Sequence, residues 1–408
     1  MRVMADTLPS PRWLCIIGIG EDGVAGLPPL ARGLVESAEH VFGGARHLGL
    51  AAKLIRGSAT TWPSPFSIAP VLAARGQRVV VLASGDPMLW GVGATLLRAV
   101  PAEETLVLPA PSAFSLAAAR LGWALQEVTT LSLHGRPLAL LRPHLADGAR
   151  ILALTSGADG PAEIAALLAD GFSRSRVTTL EALGGPDERI TQGVPATPQA
   201  LNLVAIAVGA DADARVLPRA AGLPDAWFEH DGQLTKREIR AVTLSALAPR
   251  RGQLLWDVGA GAGSIAIEWM LADPSLRAIA IEARADRAAR IRRNALALGT
   301  PGLVVVEGEA PAALAGLPPP DAVFLGGGAN DAGVLDAALA TLQPGGRFVA
   351  NAVTLETEAL LLARRAALGG EMLRLAVSRA VAVASMSGWR AAMPVTQWVW
   401  DKPRGGAA

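Results

Sequence analysis

Two glycine loops in this 408-residue chain have the residue types and spacing to close a backbone around a ligand. The later one lies in LLWDVGAGAGSIAIEWM, residues 254–270. An apolar run, an acid and three alternating glycines, Asp257-x-Gly259-x-Gly261-x-Gly263, lead there into a helical pattern. Glycine lets a backbone approach a cofactor where a Cβ would collide. A dinucleotide loop wants G-x-G-x-x-G, and its third glycine would fall where Ser264 stands. The run AIAIE then ends a second strand at Glu282, nineteen residues beyond Gly263, where a carboxylate can accept both hydroxyls of a ribose. The earlier loop, GIGEDG at 18–23, closes the apolar run WLCII and has no third glycine in register for a dinucleotide. Two further stretches accompany it: VVVLASGDPMLWGVGATLLR, a strand followed by Ser84-Gly85-Asp86-Pro87, and LPAPSAFSLAAARLGW, a Pro/Ser turn into a helix. Any buried strand–turn–helix can use glycines structurally, so the flanking residues decide the reading.

An acid opening D-x-G-x-G-x-G resembles the class I methyltransferases that use S-adenosylmethionine. On that resemblance Glu282 receives the ribose, Glu309 and Ala310 in VVVEGEAPAAL lie where the adenine edge is read, and LQPGGRF turns into a fifth strand. An NAD(P)-dependent oxidoreductase is the rival, since Glu282 also suits an NAD ribose. Asp257 ahead of the loop and a closing β pair weigh against it.

The set GIGEDG, ASGDP, PAPSAFSLAAARLGW, SLHGRP and EALGGPDERITQG resembles the tetrapyrrole (class III) methyltransferases, in particular the corrin-pathway C5-methylating type. The second half, from GLPDAWFEHDGQLTKREIRA through GEAPAAL, resembles the C15-methylating, decarboxylating partner of that pathway. The resemblance implies a two-lobed tetrapyrrole-methylase fold followed by a Rossmann-like class I fold, both α/β. It implies one S-adenosylmethionine per domain and a precorrin-6 substrate, methylated at C5 and C15 and stripped of its C12 acetate carboxyl to give a precorrin-8. The cofactor contacts it implies in the first domain are Gly18, Gly20, Ser84, Gly85, Asp86, Leu89, Ser112, Ala113 and Ser156. In the second they are Thr235, Asp257, Gly259, Ala260, Gly261, Ala262, Gly263, Glu282, Glu309 and Ala310. One departure concerns the turn usually written Pro-Gly-x-Ser-Ser, which is Pro109-Ala110-Pro111-Ser112-Ala113 here.

Methyl transfer to an electron-rich ring carbon needs alignment more than a strong base, which agrees with the absence of a triad or paired carboxylates from the sequence. A substrate with several carboxylates calls for cations at the cleft mouths. The candidates are His134 and Arg136 in SLHGRP, and Lys236, Arg237 and Arg240 in TKREIR. Each could equally sit on a solvated face.

The elements that must position these residues read as α/β, with largely parallel sheets. Strands are expected at 14–19, 40–42, 79–83, 104–108, 151–155, 177–181 and 203–208, then at 254–258, 277–281, 303–307, 322–325 and 347–351. The runs VAVAS and PVTQWVW suggest a closing antiparallel pair. The Gly/Pro/Asp-rich segment 209–228 marks a boundary, giving domains 1–214 and 215–408. Thr235 is placed to cap the following helix, with Glu238 at capping-box spacing. A net charge of +1 and no basic run argue against nucleic-acid or membrane-surface partners. The single cysteine, Cys15, reads as a buried structural thiol, and no Cys/His spacing suits a metal. With no signal peptide and no apolar run of about 18 residues, a cytoplasmic protein is expected. By analogy with both families, so is a homo-oligomer.

Overall fold

The computed structural model describes residues 12–326 and 332–404. Two compact units result: one runs to Arg215 without Ala139–Pro143, and the other joins that segment to the chain from Val216 onward.

In the first unit, β1 (Leu14–Ile19), β2 (His40–Gly43), β3 (Ser58–Thr61), β4 (Val79–Ser84) and β5 (Thr105–Leu108) form a wholly parallel sheet in the order β3-β2-β4-β1-β5. β1 is buried along its whole length and β4 up to Ser84, as apolar strands covered on both faces must be. The pairing of Ile19 with Ser84 brings the GIGEDG loop and the Ser84-Gly85-Asp86-Pro87 turn to the same carboxyl edge. A second sheet holds β6 (Val128–Ser132), β7 (Arg150–Leu154), β8 (Arg176–Glu181), β9 (Arg189–Gln192) and β10 (Asn202–Ala207) in the order β6-β7-β10-β8-β9. Only its β6–β7 pair is parallel, so the expectation of largely parallel sheets fails for this lobe. In this unit the strands missing from the sequence reading are β3, β6 and β9. The edge strands β3 and β9, SATT and RITQ, are largely exposed and offer no apolar run to detect.

In the second unit, β11 (Leu254–Val258), β12 (Arg277–Glu282), β13 (Val304–Glu307), β14 (Ala322–Leu325) and β15 (Arg347–Ala352) are parallel. With β16 (Glu371–Leu375) and β19 (Val395–Asp401) they make a seven-stranded sheet ordered β13-β12-β11-β14-β15-β19-β16. The closing antiparallel pair differs from expectation. VAVAS lies in β17 (Ser378–Val383) and its turn, and pairs with β18 (Met386–Ala391) in a separate hairpin. β19 runs antiparallel to both β15 and β16. Burial explains the choice: Val395 to Trp398 are buried and need a place inside the sheet, whereas β17 and β18 are largely exposed. Trp256, Trp269, Phe324, Phe348 and Trp398 fill the core on the two faces.

The helix after residue 235 begins at Arg237, with extended Lys236 at the cap position and no side-chain cap. Thr235 therefore does not cap it; its carbonyl instead accepts from Arg240 Nη1. Cys15 is buried, and burial pushes its thiol up to about 11 against a smaller opposing effect of Arg12. Among the described residues, no helix is long and apolar enough to cross a membrane, and no cluster of three His, Cys, Asp or Glu side chains could hold a metal ion.

Candidate functional site

In the second unit, the carboxyl ends of β11, β12, β14 and β15 open on a cavity of about 810 Å³, where open α/β sheets place their ligands. The loop after β11 folds back on β12: the Gly259 and Ala260 amides both donate to the Ile281 carbonyl. Gly261 sits at φ +60°, a backbone region that disfavours any Cβ. Its amide donates to Glu282 Oε2 at 2.8 Å, and the Arg284 amide donates to Glu282 Oε1 at 3.1 Å. Each carboxylate oxygen thus keeps acceptor capacity for hydroxyls in the cavity it lines. Asp257 is buried beneath the loop, and its Oδ2 accepts from the Ala266 amide at 3.1 Å. Burial pushes its carboxyl up to about 7; the Ala266 amide opposes that shift and the charge of Glu282 adds to it.

Asp257, Gly259, Ala260, Gly261, Glu282, Glu309, Ala310, Thr235 and Lys236 all line this cavity. Ala262, Gly263 and Arg237 do not. The Ala262 carbonyl is turned to Asn294 Nδ2 at 2.9 Å, and Gly263 packs on Ile291, so both shape the loop from behind. Arg240 is a correction. It is 0% exposed, bound to Glu268 at 2.5 Å and to Asp225 at 3.2 Å, and stacked over Phe228 at 4.8 Å. A guanidinium committed to buried partners cannot receive a substrate carboxylate.

The segment 229–236 is pinned beside the cavity by charge. Arg287 donates to Asp231 at 2.8 Å, Arg290 flanks it at 3.4 Å, and Arg293 pairs with Glu229 at 2.8 Å. The hydrogen bond from Arg287 holds the Asp231 carboxyl far below the usual carboxylate range. Sequence reading missed Gln233, Arg287, Asn351, Arg379 and Met393, which line the cavity from distant elements. Arg287 carried a signal: it lies one turn into the helix Ala285–Ala297 that follows Glu282.

In the first unit a cavity of about 530 Å³ opens at the carboxyl ends of β1 and β4. Gly20, Ser84, Gly85, Asp86, Leu89, Ser112, Ala113 and His134 line it. Gly18 does not. A Cβ there would lie 1.9 Å from the Gly85 carbonyl oxygen and 2.6 Å from the Ala110 nitrogen, so Gly18 lets the two loops touch. Ser156 turns away, donating to the Leu133 carbonyl and accepting from the Gly135 amide; Thr155 lines the wall instead. Arg136 reaches back to the Ser132 carbonyl at 3.4 Å and is not among the lining residues. Asp86 Oδ1 accepts from the Met88 amide at 2.8 Å, which is its turn role. The altered Pro/Ser turn is held by two hydrogen bonds. Ala110 donates to the Gly85 carbonyl, and Ser112 caps the helix Ala113–Leu121 through the Ser115 amide.

A polar cluster on this wall escaped the sequence reading: Glu21, Arg46 and His47. Arg46 pairs with Glu21 and donates to Ser84 Oγ at 2.7 Å and to His47 Nε2 at 3.0 Å. Burial, then the charge of Arg46, pushes His47 down to about 4, so a neutral imidazole faces the Ser84 hydroxyl at 2.7 Å. Contacts between residues 37 and 38 positions apart leave no local pattern to read.

Residues 14–197 match the family model for Tetrapyrrole (Corrin/Porphyrin) Methylases, and residues 226–402 match the model for a Precorrin methyltransferase domain. The chain is 59% identical over 398 residues to the Precorrin-6Y C(5,15)-methyltransferase (decarboxylating) of Sinorhizobium sp, covering 96% of each. It is 39% identical over 399 residues to the protein of the same name from Mycobacterium tuberculosis (strain CDC 1551 / Oshkosh), covering 94% of this chain and 98% of that one. Among solved structures it resembles the C-terminal domain of precorrin-6Y C5,15-methyltransferase from Rhodobacter capsulatus. That match is 48% identical, covers 46% of this chain and 100% of that one, and has a TM-score of 0.44.

Proposed function

The chain belongs to the family of decarboxylating precorrin-6Y C(5,15)-methyltransferases, and from that premise we propose that it methylates the precorrin ring at two carbons in two separate cavities, one S-adenosylmethionine in each. The first unit methylates C5; the second methylates C15 and removes the carboxyl of the C12 acetate. The observation that carries this division is that each unit has its own cavity at the carboxyl ends of parallel strands, walled by a glycine loop of its own.

When bound, S-adenosylmethionine supplies an electrophilic methyl group on a sulfonium. The residues to hold it in the second unit are the Gly259–Gly261 backbone around the methionine part, Glu282 for the ribose hydroxyls and Glu309–Ala310 at the base. The acceptors that Glu282 leaves open on the cavity side support that placement. In the first unit Gly20, Ser84, Gly85, Asp86, Leu89, Ser112 and Ala113 hold it. The meso carbons of a reduced tetrapyrrole are enamine-like, so the protein's contribution is alignment, which can be worth about 7–11 kcal/mol. Lys236 and His134, each on a cavity wall, receive substrate carboxylates. A homo-oligomer is proposed by family analogy and is tested by light scattering.

The test is mass spectrometry of precorrin-6Y after incubation with the chain and excess S-adenosylmethionine. Gain of two methyl groups with loss of one carbon dioxide is expected. Gain of one methyl group means that one unit is silent, and unchanged pigment overturns the substrate assignment.

A further inference from the structure

A buried polar network in the second unit opens on the cavity wall, apart from the residues proposed above to hold the cofactor. Thr243 of the helix Arg237–Leu247 is 0% exposed, Asn351 of β15 is 9% exposed, and Gln397 of β19 is 0% exposed. Asn351 and Gln397 are cross-strand partners. The Thr243 hydroxyl donates its one proton to the Ile239 carbonyl at 2.7 Å, so toward the two amides it can only accept. Both therefore turn their NH₂ groups to it, Asn351 at 2.9 Å and Gln397 at 3.1 Å. The second Gln397 proton goes to Asn351 Oδ1 at 2.8 Å, and Gln397 Oε1 is left buried without a partner among the described residues. Asn351 lines the cavity with its amide oriented by these bonds, and among the described residues Thr243 takes the one hydrogen bond its NH₂ group makes.

Apolar side chains share that wall. Val395 lies two residues before Gln397 in β19, and strand alternation sends the two toward one face. Ile239, Val353 and Val395 all line the cavity. An apolar core of the same shape would hold the fold at less cost than a polar triad with an orphaned oxygen, so stability does not explain the network.

We propose that Asn351 orients the acetate carboxylate that leaves as carbon dioxide, and that Thr243 and Gln397 are its positioning residues. This inference rests on the functional reading above. In the step, the bond between the acetate methylene and its carboxyl carbon breaks. The electron pair passes into the conjugated ring, neutral carbon dioxide leaves, and the methylene takes a proton, balanced by the one that C15 releases after methylation. A carboxylate against valine and isoleucine side chains is costly, whereas carbon dioxide is not, so the wall favours bond cleavage. A neutral amide suits this role better than the cavity's cations, Lys236, Arg287 and Arg379, because a cation would stabilise the carboxylate and hold it back. Asn351 lies two strands from the cofactor loop in the sheet order, about 10 Å away. One ring can span both.

The experiment is the product partition of Asn351→Ala in the full chain, given precorrin-6Y and S-adenosylmethionine. The expected result is a C15-methylated product that retains its carboxyl. Carbon dioxide release falls on the order of 10²-fold relative to methyl transfer, as when a reacting group loses its alignment, and cofactor affinity is unchanged. Asn351→Asp, isosteric but repelling the carboxylate, shifts the partition further. If the alanine variant does not fold, Thr243→Ala, which frees both amides to turn, must shift the partition the same way. Parallel loss of both reactions, or an unchanged partition, overturns the role of Asn351 alone. Wild-type chain that methylates without releasing carbon dioxide overturns the functional reading, and this inference with it.

Discussion

Gly261→Arg separates the two reactions most cleanly. The backbone at φ +60° costs any L-residue about 1–2 kcal/mol, and a Cβ would stand 3.1 Å from the Gln233 carbonyl, so that segment must give by a few tenths of an ångström. The larger effect falls on the ligand. The new guanidinium enters the cavity beside Glu282, whose Oε2 already lies 2.8 Å from the residue 261 nitrogen, and it pairs with the acceptors meant for the ribose. Two hydrogen bonds to a charged group, at about 1.5–3 kcal/mol each, amount to about 3–6 kcal/mol. That is about 10²- to 10⁴-fold in affinity, before repulsion of the sulfonium is counted. The first cavity is lined by residues no later than Leu203 and is untouched. Calorimetry should show the S-adenosylmethionine stoichiometry falling from two per chain to one, and mass spectrometry should show C5 methylation without the second methyl group. Retention of both binding events refutes the placement of the cofactor in the second cavity. Loss of both methylations in a chain whose first unit stays folded refutes independent sites.

Three further expectations follow from the geometry. Asp257→Asn removes a buried acid whose pKa is raised from 3.8 to about 7. The wild-type group is protonated in the fold but ionised in the unfolded chain across that window, so its stability contribution is full below pH 3.8 and is lost as pH rises through 7. Denaturation of the unliganded chain at several pH values should show the stability advantage of the amide variant growing with pH toward an upper limit of about 4 kcal/mol, and a pH-independent difference contradicts the shift. Arg240→Met leaves Glu268 buried without its cation and should destabilise the second unit by about 3–5 kcal/mol; a change under about 1 kcal/mol in thermal unfolding would show that the pair is dispensable. Gly18→Ala drives a methyl into the Gly85 carbonyl and should cost about 1–3 kcal/mol along with C5 methylation, while C15 methylation continues; unchanged C5 activity would mean that the two loops need not touch.

The geometry of the second unit's glycine loop was legible because its information is local. Apolar strand, acid, alternating glycines and the carboxylate ending the next strand all lie within thirty residues, and the fold brings Gly261 onto Glu282 as that spacing implies. The buried parallel strands were legible for the same reason: a run such as LCIIGI has no other place to go. Edge strands were not, because β3 and β9 pair through backbone groups with little apolar burial to mark them.

The residues expected to face the substrate divide along the same line. TKREIR reads as three equivalent cations, yet the helix turns Lys236 to the cavity, leaves Arg237 off its wall and buries Arg240 on Glu268. Only the helix phase and the position of Glu268, 28 residues away, distinguish them. The cluster of Glu21, Arg46, His47 and Ser84, and the Thr243–Asn351–Gln397 network, exist because strands far apart in sequence end side by side. The sequence by itself determined the fold class, the family and the two glycine loops, since strand burial and glycine geometry are short-range properties. Which polar side chains meet in each cavity was decided only by the sheet order, because a hydrogen bond depends on distance in space and carries no trace of distance along the chain.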